Sequence, residues 1–160
     1  MSEACVIVYG DPEQPERLQE ALLAAKDCLQ TKSIKVLQSA KLTYLDKNRL
    51  GAALLSARGD QIPLTVVCGG TGVGPEDIVP QTVAEIAEYE VPGVGEKLRR
   101  ESEQYSPAAW IGRGGAWVSG PMVILAIPGS PNAIRESLEI AAPLLPKLFK
   151  ARRGQCDKRP

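Results

Sequence analysis

Apolar residues follow two rhythms along this chain. Residues 4–9 (ACVIVY), 64–68 (LTVVC) and 122–127 (MVILAI) are short, almost continuous apolar runs, as expected of strands covered on both faces. Between them the spacing changes to three and four. Leu18, Ala21, Leu22, Ala25 and Leu29 mark a helix over residues 15–29. Leu50, Ala53, Leu54 and Ala57 mark another, with Asp46 at its N-cap and Gly59-Asp60 at its end. Residues 79–89 predict a third helix with Val83, Ile86 and Ala87 inward, and Pro92-Gly93 then breaks the chain. Residues 94–105 read as a polar helix, and Lys97, Arg99 and Arg100 as its solvated face.

Shorter extended stretches are expected at 34–37 and 42–45. The turn signals Gly114-Gly115 and Gly120-Pro121 bracket Ala116-Trp117-Val118 and suggest a hairpin. A last helix is expected from Asn132 to about Phe149. Strands alternating with helices predict an α/β fold with a mostly parallel sheet flanked by helices. No repeat or long linker divides the chain, so one domain over residues 1–150 is expected, followed by a basic tail, 151–160.

Composition narrows the chemistry. Nineteen Lys and Arg balance nineteen Asp and Glu, which gives no overall field for DNA, RNA or acidic lipid. No apolar run is long enough to span a membrane, and the first residues read as a strand instead of a secretory signal. Cys5, Cys28, Cys68 and Cys156 form no CxxC pair and suit a reducing, cytoplasmic setting. Histidine is absent, which excludes Ser-His-Asp and Cys-His catalysis, His-ligated zinc and any imidazole base. Chemistry must come from carboxylates, hydroxyls, backbone amides, Lys or Arg, or a bound metal ion.

Two strand-to-helix turns fall on the sheet edge where ligands of parallel sheets bind. The first, Gly69-Gly70-Thr71-Gly72-Val73-Gly74, puts four glycines in six positions. Its backbone N–H groups can form an anion cradle at a helix start. It is neither GxxxxGK[ST] nor GxGxxG, which disfavours an ordinary P-loop or dinucleotide site. The second is Pro128-Gly129-Ser130-Pro131, where Ser130 can cap the following helix or bind a ligand. Asp77 follows the first turn, either complementing a helix dipole or holding Mg²⁺ against phosphate oxygens. Asp46 can approach the same edge. Arg113, alone in a Gly-rich segment, is a candidate phosphate contact. Trp110 and Trp117 read as packing or subunit-contact residues.

The order GGTGxxxxDxxP (residues 69–80), Glu90-Val91-Pro92-Gly93, Arg113-Gly114 and a strand ending in PGSP resembles the MoaB/Mog proteins and the gephyrin G domain of molybdenum cofactor biosynthesis. The resemblance covers residues 62–149. It implies a three-layer α/β/α domain assembled as a homotrimer, with molybdopterin and ATP as substrates and Mg²⁺ as cofactor. It implies that Gly69, Gly70, Thr71 and Gly72 meet phosphate or pterin, that Asp77 positions Mg²⁺ or the reacting phosphates, and that Gly129 and Ser130 hold the pterin end. Asp46 matches the family's earlier acidic residue loosely. The chain departs from the pattern at Glu76, Val79, Gly112 and a shortened loop after the first strand. These departures leave open a second reading, a pterin- or nucleotide-binding module that does not transfer an adenylyl group.

Overall fold

A computed structural model of the chain describes residues 2–155. The strands are β1 (Ser2–Gly10), β2 (Ile34–Thr43), β3 (Leu64–Cys68), β4 (Tyr89–Val91), β5 (Gly115–Ser119) and β6 (Met122–Ile127). They form one sheet in the order β2-β1-β3-β6-β5-β4. β2, β1, β3 and β6 run parallel, whereas β5 is antiparallel to β6 and β4 to β5. The helices are α1 (Pro15–Thr31), α2 (Lys47–Gly59), α3 (Val79–Ile86), α4 (Pro92–Ser102), α5 (Pro131–Ala141) and α6 (Leu145–Arg152).

Strand alternation divides the apolar residues between two cores. On one face Val6, Val8, Val66, Cys68, Leu125 and Ile127 meet Leu22 and Leu29 of α1, Leu98 of α4, Leu138 of α5 and Leu145 of α6. On the other, Ile7, Tyr9, Val67, Ile124 and Ala126 meet Leu50 and Leu54 of α2 and Val79 and Val83 of α3. The central strands are therefore buried on both sides, which explains their continuous apolar sequences. Helix, sheet and helix form the three layers.

Several boundaries differ from the sequence reading. The stretches expected at 34–37 and 42–45 are one ten-residue edge strand, β2. Its intervening residues alternate between exposed and half-buried, so polar Gln38 and Lys41 do not interrupt it. The helix expected to reach residue 89 stops at Ile86, because Glu88 N–H donates to Val118 O (2.8 Å) and Tyr89–Val91 then pairs with β5. Pro92 starts α4 instead of breaking the chain, since proline fits the first helical turn.

The last helix is two helices. Pro143 has no N–H to donate and its ring crowds the preceding turn, so α5 closes at Ala141 and α6 opens at Leu145. α6 continues beyond the expected tail boundary, and Arg152 donates to Tyr89 OH (3.1 Å) and to Gly120 O. Cys156 and the tail residues through Pro160 lie outside the described residues.

Candidate functional site

The strand that carries the first turn sits mid-sheet between β1 and β6, so the turn leaves the centre of the parallel edge. Gly69 N–H donates to Ile127 O (2.9 Å), prolonging the β3–β6 ladder by one bond. The chain then reverses with φ of +105° at Gly69 and +66° at Gly70. A Cβ at Gly69 would fall on the Tyr9 carbonyl oxygen, and one at Gly70 would lie 2.6 Å from Val79 Cγ2. Both positions require glycine for φ and for space.

Beyond the reversal, the loop turns its carbonyls toward the protein. Gly70 O accepts from Val79 N–H (3.1 Å) and Thr71 O from Arg113 N–H (2.8 Å). Arg113 Nε donates to Gly72 O (2.7 Å), Nη2 to Asp77 O (2.6 Å) and Nη1 to Gln81 Oε1 (3.0 Å). Among the described residues, no protein oxygen accepts from the amides of Gly70, Thr71, Gly72 or Val73. A trans peptide points its N–H opposite its C=O, so carbonyls held inward leave the amides facing out. Asp77 folds back over the loop: its Oδ2 accepts from Gly74 N–H (2.9 Å), while Oδ1 has no donor among the described residues.

Gly129 crosses this loop closely. A Cβ there would lie 2.9 Å from Gly69 Cα, so the two turns pack backbone to backbone. Ser130 caps α5, its Oγ accepting from Ala133 N–H (3.3 Å). The crossing separates two cavities that share Gly70 and Gly129. The larger, about 450 Å³, is lined by Thr71, Gly72, Asp77 and, from α4 and the following loop, Arg99, Ser102 and Tyr105. The smaller, about 210 Å³, is lined by Gly69, Ser130, Tyr9, Asp11, Arg17 and Tyr44.

The expected site residues therefore gather at one edge in a definite partition. Gly70 and Gly129 line both cavities, Thr71, Gly72 and Asp77 the larger, and Gly69 and Ser130 the smaller. Asp46 lines neither. It lies in an adjoining depression with Glu76 that shares Tyr44 with the smaller cavity. It occupies the N-cap position of α2 without capping it, because Oδ2 accepts from Thr43 N–H (3.0 Å) and Oγ1 (3.2 Å). The Thr43 backbone hydrogen bond holds its pKa below the usual carboxylate value. Arg113 lines neither cavity, and each of its guanidinium nitrogens donates to a protein oxygen.

Acidic groups colour the electrostatics of the smaller cavity. Tyr9 and Tyr44 stack at a tilt with ring centroids 5.4 Å apart, and Tyr9 OH donates to Glu76 O (3.2 Å). Burial pushes the Tyr9 phenol up to about 12, and the charges of Glu76, Asp77 and Asp46 add to the effect. Tyr9 therefore stays protonated and serves as a donor. The sequence reading missed Arg99, placing it on a solvated face. It reaches under the larger cavity to donate to Gly114 O (3.1 Å) and, more weakly, to Gly112 O (3.4 Å). Its place one residue after the inward Leu98 is the one local hint of that orientation.

A family model described as a probable molybdopterin binding domain matches residues 26–147. Molybdopterin adenylyltransferase of Helicobacter pylori is 37% identical over 86 residues, which cover 54% of this chain and 49% of that protein. The molybdenum cofactor biosynthesis bifunctional protein of Synechococcus elongatus is 34% identical over 103 residues, 64% of this chain and 32% of that protein. These matches thus span a third to a half of the curated relatives' length. The crystal structure of the molybdopterin biosynthesis enzyme MoaB from Thermus thermophilus superposes with a TM-score of 0.84 at 30% identity, covering 99% of this chain and 100% of that one. The chain belongs to the molybdopterin-binding domain family of the MoaB/Mog proteins, as its paired turns imply.

Proposed function

We propose that the protein acts in molybdenum cofactor biosynthesis, binding molybdopterin and adenylylating its terminal phosphate with ATP. The observation that carries this reading is the pair of cavities meeting at Gly70 and Gly129, with Asp77 and the unpartnered amides of Thr71 and Gly72 beside that meeting point in the larger one. Two substrates with charged ends need two chambers and one shared place for their phosphates. The larger cavity is assigned to the pterin and the smaller one, with Tyr9, Tyr44 and Ser130, to the nucleotide, which moves Ser130 from the pterin end that the resemblance implies to the nucleotide side.

In the reaction a terminal phosphate oxygen of molybdopterin attacks the α-phosphorus of ATP. A new P–O bond forms, the bond to the β-phosphate breaks, and pyrophosphate leaves with its electron pair. No histidine is needed. The work is in-line positioning and cancellation of developing negative charge. The amides of Gly70, Thr71, Gly72 and Val73 would supply part of that cancellation. Among the described residues no group of three or more His, Cys, Asp or Glu can form a closed metal cage. That fits Mg²⁺, which commonly uses one or two carboxylates together with substrate phosphates. Asp77 Oδ1 would hold it there, and the ion would neutralise phosphate charge.

A second reading is favoured by Glu76, an exposed carboxylate beside the depression of Asp46 where the family carries a cation. On that reading the protein holds the pterin without transferring an adenylyl group. Isothermal titration separates the two: the enzyme reading expects MgATP and a pterin phosphate to bind independently, one per chain. Pterin binding with no detectable ATP binding would select the module. Binding of neither would remove both.

Assembly as a homotrimer is part of the same proposal. The 3₁₀ turn Pro107–Ile111 buries none of its residues, and it leaves Trp110 and Ile111 exposed beside the larger cavity, whereas Trp117 is buried in the sheet. Sedimentation equilibrium is expected to give three chains. The buried free thiols of Cys5, Cys28 and Cys68 agree with a cytoplasmic setting.

A further inference from the structure

Arg113 is a cation at a phosphate-binding edge, and its side chain is spent on the protein itself. Its backbone N–H holds Thr71 O, Nε holds Gly72 O, and Nη2 holds Asp77 O. Nη1 reaches Gln81 in the first turn of α3. One planar group thus ties both ends of the 72–77 loop to each other and to the helix that follows. The consequence lies on the far side of two peptides. Fixing the carbonyls of Thr71 and Gly72 toward Arg113 fixes the amides of Gly72 and Val73 away from it, where no oxygen of the described residues accepts from them.

The loop has little else to hold that orientation. Gly72 and Gly74 are permissive and Val73 is exposed. The other ties, between Asp77 and Gly74, from Tyr9 OH to Glu76 O and from Val79 N–H to Gly70 O, leave the Gly72 carbonyl to Arg113. We propose that Arg113 is the positioning residue of this site: its side chain orients the Val73 amide and Asp77 for phosphate and does not itself touch substrate, while its backbone N–H sets the Gly72 amide. This rests on the adenylylation reading for its kinetic consequence, but not for its structural one.

The test compares Arg113→Lys and Arg113→Ala with the unaltered protein, using backbone ¹⁵N order parameters and steady-state adenylyl transfer from MgATP to molybdopterin. The order parameter of Val73 is expected to fall from about 0.85 to below about 0.6 in both variants, while Gly72, whose peptide is held by the backbone N–H of residue 113, and β3 and β6 stay rigid. The kcat is expected to fall about 10- to 100-fold, through misplacement, with KM for either substrate changing less than about threefold. Lysine should not rescue, because one ammonium cannot serve three oxygens fixed around a planar fork. An unchanged order parameter at Val73 in Arg113→Ala would overturn the proposal. So would a KM increase of about tenfold or more at constant kcat, the mark of a direct phosphate contact. Should the unaltered protein show no transfer, the adenylylation reading fails by itself, and the order parameters still decide the role of Arg113.

Discussion

Gly69 concentrates the demands of the site in a single residue. Its φ of +105° is closed to side chains, and any Cβ would strike the Tyr9 carbonyl. Gly69→Ala is expected to cost about 3 kcal/mol, visible as a lowered midpoint in urea with an unchanged slope. Titration adds a second expectation at this scale. Burial raises the thiols of Cys5 and Cys68 to about 11 and about 12, and burial with nearby acids raises Tyr9 to about 12. Each group is held neutral in the native state, so the unfolded chain loses its proton first as pH climbs. Stability from this source is complete below about pH 9 and declines from there towards pH 12. Denaturation midpoints measured from pH 8 to 11 should therefore fall. Cys5 and Cys68 should resist thiol reagents at pH 8 until the protein unfolds, and rapid labelling of the native protein would contradict their burial.

Among the elements, the N-terminus of α5 gives Ser130 two places: its Oγ caps the helix, and the residue stands in the wall of the smaller cavity. Ser130→Ala is expected to lose about 1 kcal/mol of stability. Ser130→Asp keeps a capping oxygen and should retain stability, yet its charge should weaken MgATP binding measured by titration; equal binding would place the nucleotide elsewhere. The sequence made the elements legible where burial is two-sided or strictly periodic, as in β3, β6, α1 and α2. It misled where one residue has two uses. Pro92 begins α4, whereas Pro143 ends a helical pattern that otherwise continues to Phe149. Tyr89–Val91 reads as helix locally and becomes a strand because β5 offers it a partner. The site shows the same division. That the two glycine turns, Asp77 and Ser130 share one edge was readable from local chemistry, whereas the contacts of Arg99 and Arg113 depend on carbonyls that only the fold brings near.

For the whole molecule, the sheet order places β3 between β1 and β6, so the loops after all three converge. β1 contributes Tyr9 and the turn after it Asp11, β3 the glycine turn, and β6 Gly129 and Ser130. The two apolar cores fix these strands from both sides, so the loops can take left-handed glycine turns without disturbing the sheet. That arrangement accounts for two chambers on one edge of a small chain. On the proposed function the two chambers serve a single transfer, with Asp77 in the wall of the larger one. The most direct measurement is pyrophosphate release by the purified protein given MgATP and molybdopterin, run beside Asp77→Asn. Release that requires both substrates, and falls at least about 100-fold in the variant while its thermal midpoint and assembly stay the same, is the predicted result. Release at the same rate in Asp77→Asn, or none from the unaltered protein, would contradict the account.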